Sequence, residues 1–499
     1  MRGRIPTLEL LVFAVGSSTL GAEIAAARLI APFFGDSTIV WANTIAIVLV
    51  ALSVGYWFGG RLADRHPHLG GLCVLVVGAA VLLGVVPIVA GPFLSLSVDA
   101  FDSLSVGTFA GSLFGVLVLV AVPVLMLGAV SPWAIRLKLR AVEDSGETAG
   151  RMYAISTVGS LVGTFASSLL LIPLVGTQRT FLIFALLIAL VALLGLNWKW
   201  AAAPVFLLAL LAIPPGTIKG DAGDGRVIYE TETEYQYARV VQFPDGVRRL
   251  ELNEGQAIHS TYRANTVLTG NYWDGLLVDP FAALREPPER VAMLGTAAGT
   301  TPRAYQRYLP DTTVDAVEID GELLDIGRRY FGLRPGPKLH AITEDARPFL
   351  RRAKARYDVI MVDAYRQPYI PFYLTTKEFF ALARDRLAPG GVVAINVGHP
   401  KSSDRLEKVL SATLRSVFKH VARDPMEPTN TILMGSDAPL SPGRLLAAAG
   451  RLDPDLRGPA TRAAARLRPA LRGGEVYTDD KAPVEWLVDE SLVQYAEDN

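Results

Sequence analysis

The chain has 499 residues, enough for two or more domains, and 51% of them are hydrophobic. Lys and Arg together number 48, as do Asp and Glu, so the formal net charge is zero, which argues against a nucleic-acid-binding protein. Cys73 is the only cysteine, which excludes a disulfide framework and a cysteine-based metal site.

Residues 1–215 hold most of the apolar sequence and predict a multi-pass α-helical membrane domain. Most of the apolar stretches are near the ~20 residues that a helix needs to cross a bilayer. They lie approximately at 8–30, 39–60, 70–91, 108–130, 153–174, 180–196 and 201–214. Five are convincing spans and the last two are short, so we expect six to eight spans. No small-residue cleavage signature follows the first stretch, which indicates a retained helix rather than a signal peptide.

Basic residues mark alternate connections between these stretches. They are Arg61, Arg65, Arg136, Lys138, Arg140 and Arg151, whereas the loop predicted at 92–105 has no basic residue. The positive-inside rule therefore predicts that the amino terminus and the basic loops are cytoplasmic. Glu23 and Arg28 lie inside the first stretch, where a charge marks a functional pathway or site, an internal ion pair, or an Arg that reaches to the interface.

Residues 216–289 predict a linker and a small β-sheet, with strands at 227–229, 237–243 and 249–252. From residue 290 the pattern becomes βαβ, with continuous apolar strands between helical segments. Such strands form a parallel sheet that is covered on both faces, and ligands bind at the carboxyl ends of its strands. Residues 290–499 therefore predict a Rossmann-like α/β domain.

The segment from Val291 to Asp320 reads as strand, tight turn, helix and strand. Gly295 and Gly299 allow a sharp turn and let a ligand approach the backbone. Glu318 ends the second strand, where a carboxylate can accept both hydroxyls of a ribose. This order predicts a nucleoside site, and the absence of a Lys in the Walker position argues against a phosphate loop.

Two further carboxylates follow strands of the same sheet. Asp345 follows the third strand and could accept a hydrogen bond from the exocyclic amine of a base. Asp363 ends the fourth strand among aromatic residues, where a raised pKa would suit a general base. The Tyr and Pro run at 365–371 predicts a loop that closes over the site. His259, His340 and His399 are scattered and predict no metal site.

Several motifs, taken in this order, resemble the polyamine aminopropyltransferase (spermidine synthase) family, in particular its membrane-fused bacterial members. In the amino-terminal half the motifs are Arg28-Leu-Ile-Ala-Pro-Phe-Phe-Gly35 and Gly55-Tyr-Trp-Phe-Gly-Gly-Arg-Leu-Ala-Asp64. In the carboxy-terminal half they are Glu318-Ile-Asp320, Asp345-Ala346, Tyr357-Asp-Val-Ile-Met-Val-Asp363, Phe379-Phe380, Leu387-Ala-Pro-Gly-Gly391 and Tyr477-Thr-Asp-Asp-Lys-Ala-Pro-Val-Glu-Trp486.

The resemblance implies transfer of an aminopropyl group from decarboxylated S-adenosylmethionine to an amine such as putrescine, with methylthioadenosine as the second product. Asp363 would accept the proton of the attacking amine, and Tyr365 and Arg366 would line the amine site. The nucleoside would be held by Gln236, Gly295, Gly299, Glu318, Asp320, Asp345 and Ala346. The donor is a co-substrate, so no tightly bound cofactor and no metal is implied, and a homodimer is allowed.

Two departures from the family pattern leave alternatives open. Ala298 stands where the glycine loop of the family has an Asp that holds the amine of the donor, and Arg366 stands where the family has a second Asp. An Arg suits a carboxylate-bearing ligand, which favours an S-adenosylmethionine-dependent methyltransferase acting on a membrane-associated substrate. A third hypothesis is a non-catalytic nucleoside-binding transporter or sensor.

We predict the location of the catalytic domain from the compartment in which its donor is found. A nucleoside-type donor is found in the cytosol, so we expect a cytoplasmic catalytic domain and therefore an even number of spans. The sequence thus predicts a multi-pass protein of the inner membrane, with the lipid bilayer and a small-molecule amine as its partners.

Overall fold

The structure of the chain is a computed structural model. The structure describes residues 5–35, 38–103, 107–139, 141–214, 218–221, 223–253, 257–365, 370–399, 401, 403–485 and 487. Arg140, Arg366 and Trp486, which carry expectations above, lie outside the described residues, as do residues 366–369 of the predicted closing loop. The chain divides into two compact units. One comprises Met1–Gly220 and Glu232–Tyr237, and the other comprises Asp221–Thr231 and Ala238–Asn499.

The first unit is helical. Its α-helices are α1 (Ile5–Phe34), α2 (Thr38–Arg65), α3 (Leu69–Ser103), α4 (Gly107–Leu119), α5 (Ala121–Gly128), α6 (Val130–Lys138), α7 (Ser145–Phe165), α8 (Ile172–Val175), α9 (Thr177–Leu193) and α10 (Ala202–Ala212). A π-helical turn at Ala166–Leu171 joins α7 to α8, and a 3₁₀ turn at Trp198–Ala201 precedes α10. Among the described residues, five helical segments are long and apolar enough to cross a membrane: Thr7–Phe34, Thr38–Arg65, Leu69–Ser97, Ala121–Lys138 and Ser145–Val175.

Two stretches differ from their predicted outline. The predicted loop at 92–105 is helical as far as Ser103, because α3 continues beyond the apolar stretch. The stretch predicted as one span at 108–130 is divided between α4, α5 and α6. Pro123 and Pro132 each lack an N–H group and crowd the carbonyl four residues earlier, which accounts for the ends of α4 at Leu119 and of α5 at Gly128.

Glycines allow the helices of this unit to pack at very short distances. A Cβ atom on Gly163 of α7 would overlap the carbonyl oxygen of Ser17 on α1, and one on Gly55 of α2 would overlap that of Leu125 on α5. These positions fit the small-residue helix contacts that are common in membrane proteins. Gly60, by contrast, has open space beside it.

Two basic residues of the predicted cytoplasmic connections, Lys138 and Arg151, meet at one carboxylate of the helical unit. Glu9, near the start of α1, pairs with Lys138 and, at 3.0 Å, with Arg151. Arg28, by contrast, does not pair with Glu23. Its guanidinium donates to the carbonyl oxygen of Thr233 at 3.2 Å and to that of Glu234, within the same unit. An internal Glu23–Arg28 ion pair is therefore not the explanation of these charges.

The second unit begins with a four-stranded sheet in the order β1-β2-β3-β4, where a small sheet was predicted. The strands are β1 (Arg226–Glu232), β2 (Tyr237–Gln242), β3 (Arg248–Leu252) and β4 (Ile258–Tyr262). The pairs β2–β3 and β3–β4 are antiparallel. The tip between β1 and β2 is the segment that groups with the helical unit.

An eight-stranded sheet follows, in the order β12-β10-β11-β9-β8-β5-β6-β7. Its strands are β5 (Arg290–Leu294), β6 (Thr313–Glu318), β7 (Leu339–Thr343), β8 (Tyr357–Val362), β9 (Leu387–Gly398), β10 (His420–Glu427), β11 (Asn430–Ser436) and β12 (Arg468–Pro469). The α-helices between and after them are α11 (Tyr272–Val278), α12 (Thr300–Tyr308), α13 (Gly321–Ile326), α14 (Ala346–Arg352), α15 (Lys377–Arg386), α16 (Arg405–Arg415), α17 (Pro442–Ala449) and α18 (Pro454–Arg466).

The central strands β5 to β9 are parallel, which confirms the predicted Rossmann-like core. The sequence analysis missed the extension of this sheet by antiparallel β11, β10 and β12. Alternate residues of the central strands enter two separate cores. Met293 and Met361 face the core formed with α17 and α18, whereas Leu294 and Val362 face the core formed with α15 and α16. Burial of both faces explains why these strands are continuously apolar.

Candidate active site

The candidate site lies at the carboxyl ends of β8, β5 and β6, where the strand order reverses. From β5 the chain proceeds through β6 to β7 on one side and later through β8 to β9 on the other. Ligands of open α/β sheets bind at such a switch point. Asp363, directly after β8, donates its backbone N–H to the carbonyl oxygen of Leu294 at 2.9 Å, which aligns the ends of β8 and β5.

Both glycines of the loop after β5 are required by the backbone. Gly295 has a φ of +83°, and a Cβ atom there would lie 2.5 Å from Cα of Ala364. Gly299 has a φ of +90° and caps α12, and a Cβ atom there would lie 2.7 Å from Leu333. Positive φ angles combined with such close approach favour glycine at both positions.

Glu318 holds this loop from the end of β6. Its Oε2 accepts hydrogen bonds from the backbone N–H groups of Thr296, at 3.0 Å, and Ala297, at 2.8 Å, and its Oε1 accepts one from that of Asp320 at 3.2 Å. Burial raises the pKa of Glu318, while these three hydrogen bonds oppose the rise. The carboxylate therefore fixes the shape of the glycine loop, and its contact with a ribose stays a prediction.

The other acidic residues predicted at the nucleoside site are helix caps in this structure. Asp320 accepts a hydrogen bond from the N–H of Glu322 at the start of α13, at 3.2 Å. Asp345 accepts one from the N–H of Arg347 at the start of α14, at 2.9 Å, and a second from the hydroxyl of Tyr373 at 2.8 Å. Ala346 follows Asp345 and is buried. Their roles toward a nucleoside stay predictions.

Both carboxylate oxygens of Asp363 accept hydrogen bonds from side chains. Oδ1 accepts a hydrogen bond from Nδ2 of Asn396 on β9 at 2.8 Å, and Oδ2 accepts one from the hydroxyl of Tyr272 on α11 at 3.2 Å. Desolvation by burial raises the pKa of Asp363 to about 7, against the hydrogen bonds from Asn396 and Tyr272. A carboxylate with a pKa near neutrality can both take up and release a proton at physiological pH.

Tyr365 lies beside Asp363, but its hydroxyl is committed to the backbone of β9. It donates to the carbonyl oxygen of Asn396 at 3.1 Å and accepts from the N–H of Gly398 at 2.5 Å. Burial raises the pKa of this phenol. Only the ring of Tyr365 is therefore available for packing against an amine, while Arg366 lies outside the described residues.

Gln236 lies in the segment Glu232–Tyr237, which belongs to the helical unit. Its backbone N–H donates to Oγ1 of Thr233 at 3.0 Å, which closes a tight turn in that segment, and the residue is buried. The predicted contact between Gln236 and a nucleoside stays a prediction.

Ala298, the position at which the sequence departs from the aminopropyltransferase pattern, faces an apolar environment. It is fully buried and packs in a cluster with Leu323, Ile326 and Phe331. Its backbone N–H donates to Oγ of Ser260 at 3.0 Å. This position therefore offers no carboxylate to the amine of a donor.

The sequence analysis missed Tyr272, Asn396 and Tyr373. Asn396 carries a usable signal, because a polar residue interrupts an apolar strand at its carboxyl end, where sites of this fold lie. Tyr272 carries no such signal, because its proximity to Asp363 depends on how α11 packs against the sheet. Among the described residues, no group of three His, Cys, Asp or Glu side chains could hold a metal ion.

Comparison with known proteins finds a family that is similar to this part of the chain. Residues 277–433, which include Gly295, Glu318, Asp345, Asp363 and Asn396, match the Spermine/spermidine synthase domain. The chain carries a spermidine synthase-like domain.

Relatives with curated names extend this match. The chain is 35% identical to a probable polyamine aminopropyl transferase of Bifidobacterium longum over 191 residues, covering 38% of this chain and 42% of that protein. It is 34% identical to a polyamine aminopropyltransferase of Vibrio vulnificus over 165 residues, covering 32% and 52%. The chain thus spans about half the length of these two relatives.

A longer and weaker match covers more of the chain than the second unit and therefore reaches into the helical unit. Identity to polyamine aminopropyltransferase 1 of Streptomyces coelicolor is 26% over 435 residues, covering 80% of this chain and 77% of that protein. Among solved structures, a probable spermidine synthase from Corynebacterium glutamicum aligns with a TM-score of 0.40 and 23% identity, covering 51% of this chain and 98% of that one.

Proposed function

We propose that the spermidine synthase-like domain transfers an aminopropyl group from decarboxylated S-adenosylmethionine to a small amine such as putrescine. The observation that carries the proposal is Asp363, a desolvated carboxylate with a pKa of about 7 at the switch point of the sheet. The same reaction is supported by the similarity of residues 277–433 to the Spermine/spermidine synthase domain and by the names of the relatives.

The proposed step requires a base but no metal. An amine is protonated at neutral pH, and only its neutral form is a nucleophile. Asp363 accepts the proton, the nitrogen lone pair attacks the aminopropyl carbon next to the sulfonium, and the carbon–sulfur bond breaks with its electron pair left on sulfur. The products are the extended amine and methylthioadenosine. Glu318 would orient the ribose, Asp345 and Ala346 would orient the adenine, and the ring of Tyr365 would pack against the amine.

The test is a product analysis with the purified full-length protein in detergent. Decarboxylated S-adenosylmethionine and putrescine should give methylthioadenosine, and Asp363→Asn should lower kcat by at least about 100-fold. Binding of methylthioadenosine should change little in this variant, because the substitution keeps the shape of the side chain. Asp325→Asn, on the exposed side of α13, is the matched control and should retain full activity.

The apolar environment of Ala298 favours a second candidate function, that of a methyltransferase. Because this buried position is apolar, the amine of a decarboxylated donor finds no carboxylate there. A methyltransferase that uses intact S-adenosylmethionine on a membrane-associated substrate would produce S-adenosylhomocysteine instead. Formation of that product, with no methylthioadenosine, would favour the second candidate.

We also propose that the helical unit is an integral part of the inner membrane and that the catalytic unit is cytoplasmic. The five long apolar helical segments support the membrane location, and the meeting of Lys138 and Arg151 at Glu9 supports a cytoplasmic amino terminus. The cytoplasmic placement of the catalytic unit also needs an even number of spans, so one or all three of the shorter apolar helices at Ala110–Leu119, Thr177–Leu193 and Trp198–Ala212 would cross as well. Reporter fusions at the carboxyl terminus test it. A reporter that is active only in the periplasm would contradict the cytoplasmic placement.

A further inference from the structure

A chain of amide and hydroxyl groups leads from β11 to the carboxylate of Asp363. Oγ1 of Thr429 donates to Oδ1 of Asn430 at 3.4 Å, and Nδ2 of Asn430 donates to Oδ1 of Asn396 at 3.0 Å. Nδ2 of Asn396 then donates to Oδ1 of Asp363 at 2.8 Å. Every donor in this chain points toward the carboxylate.

The direction of this hydrogen-bond chain fixes the orientation of the Asn396 side-chain amide. An asparagine side chain has a donor side and an acceptor side, and rotation by half a turn exchanges them. In the observed orientation the side-chain carbonyl oxygen of Asn396 accepts a hydrogen bond from the NH₂ group of Asn430. The rotated form would bring two NH₂ groups together and would place a carbonyl oxygen against Asp363. Asn430 therefore disfavours the rotated form.

The backbone around Asn396 is also held in place. Asn396 is 3% exposed and lies within β9. Tyr365 bridges the carbonyl oxygen of Asn396 and the N–H of Gly398 with its hydroxyl group. Because the strand cannot shift, a change in the hydrogen bonding of Asn396 acts through its side-chain amide.

We propose that Asn430 is a positioning residue for the general base: it holds Asn396 with its NH₂ group toward Asp363 and thereby favours the ionised form of the carboxyl group, the form that can accept a proton. The catalytic part of this inference rests on the proposed function. The effect on ionisation does not, because it follows from the hydrogen bonds alone. A hydrogen bond donated to the charged form of a carboxyl lowers its pKa.

The remaining groups that face Asp363 stay unchanged when Asn430 is replaced. Tyr272 and Trp273 face it from α11, Glu318 from the end of β6, and Tyr365 from the loop after β8. Glu427 on β10, which lies opposite Asn430 in the strand register, acts on Tyr272. A shift in the titration of Asp363 after substitution of Asn430 therefore reports on the chain through Asn396.

The first readout is independent of turnover. Infrared difference spectra of the full-length protein, recorded over a pH series, follow protonation of Asp363, whose carboxyl band is assigned by its loss in Asp363→Asn. Asn430→Ala should raise the midpoint of this titration. Asn430→Asp should raise it further, by about one pH unit or more, because an acceptor at this position turns the carbonyl oxygen of Asn396 toward Asp363 and adds a negative charge.

The second readout is the pH dependence of kcat. The acid limb should move to higher pH by the same amount as the infrared midpoint, which means a rate about 10-fold lower at pH 6 for a shift of one unit. At high pH the rate should return to that of the unsubstituted protein. A merely structural defect would lower kcat at every pH and leave the limb in place.

Thr431→Val is the matched control. Thr431 is the next residue of β11 and is buried, but its hydroxyl donates to Oε2 of Glu407, outside the chain that leads to Asp363. This variant should leave the midpoint unchanged. Unchanged midpoints in both Asn430 variants would overturn the inference. Shifted midpoints without any formation of methylthioadenosine would support the inference and contradict the proposed function.

Discussion

The hydroxyl of Tyr272 donates a hydrogen bond to the carboxylate of Asp363, with 3.2 Å between Oη and Oδ2. Tyr272 is the first residue of α11, whereas Asp363 follows β8, so the contact joins parts of the chain that are 91 residues apart. Together with Asn396, Tyr272 gives the carboxylate one donor on each oxygen. The hydrogen bonds lower a pKa that burial raises, and their balance sets the value near neutrality.

Replacing Tyr272 by Phe should therefore shift the base out of its working range. Loss of the donor raises the pKa of Asp363, so the acid limb of the kcat profile should move to higher pH. Hydrogen bonds to charged groups contribute about 1.5–3 kcal/mol, or roughly 1–2 pKa units. Because about half of Asp363 is ionised at pH 7, kcat at that pH should fall by roughly 5- to 50-fold. Tyr308→Phe, which removes a hydroxyl bound to Asp455 on the surface, is the control and should leave the profile unchanged.

Asp363 should also make the stability of the folded protein depend on pH, and the direction of this dependence follows from the raised pKa of Asp363. The folded protein holds a proton on Asp363 up to a pH of about 7, whereas an ordinary Asp loses it near 3.8. Between these values the folded state binds more protons than the unfolded state, so this carboxyl makes the protein less stable as pH rises. Asp363→Asn should raise Tm at pH 8 and have little effect at pH 4. A lower Tm at pH 8 would contradict the desolvation of Asp363.

A pair of buried carboxyl groups, Asp279 and Asp424, should influence the stability of the α/β unit. Arg466 forms two hydrogen bonds of 2.7 Å to Asp424, which is fully buried, and Asp279 lies beside them, also fully buried. Burial, followed by the charge of Asp424, raises the pKa of Asp279 well above its usual range, so Asp279 is the protonated member of the pair.

Arg466→Met should leave Asp424 buried without a countercharge and lower the free energy of unfolding by about 3–5 kcal/mol. Arg451→Met is the matched control, because its ion pair with Glu286 is exposed and contributes at most about 1 kcal/mol. Thermal melts of the three proteins under the same conditions provide the measurement. Equal melting temperatures for the two variants would show that the Asp424 carboxylate is not effectively desolvated.

Close packing of α1 against α7 should make Gly163 intolerant of any side chain. An added Cβ atom would overlap the carbonyl oxygen of Ser17, which is part of the helix backbone and cannot move alone. Gly163→Ala should therefore lower Tm in detergent, although Ala is the better helix former. Gly60→Ala, on α2 with open space beside it, should leave Tm unchanged or raise it slightly. The opposite ranking would contradict the helix packing.

The sequence was sufficient for the elements whose signals are local. Continuous apolar strands, glycines at Gly295 and Gly299, and acidic residues at strand ends predicted the parallel core and the sheet edge at which the candidate site lies. The helical stretches followed from length and hydropathy. These features depend on residues near one another in the chain or on the regular period of a strand or helix.

Features that depend on tertiary packing were not accessible in this way. Strand β10 contains Pro425 and alternates in polarity, so its place beside β11 depends on pairing rather than on composition. The approach of Tyr272 to Asp363 depends on the docking of α11. The helix caps formed by Asp320 and Asp345 illustrate a further ambiguity, because an acidic residue after a strand is equally suited to a cap and to a ligand.

The measurement that tests the account most directly is product formation from two donors, decarboxylated and intact S-adenosylmethionine, each offered with putrescine to the full-length protein and to Asp363→Asn. We expect methylthioadenosine from the decarboxylated donor, a rate that falls about 10-fold per pH unit below a pH of about 7, and a loss of turnover in Asp363→Asn. Methylthioadenosine formation that is unaffected by Asp363→Asn, or S-adenosylhomocysteine as the only product, would contradict it.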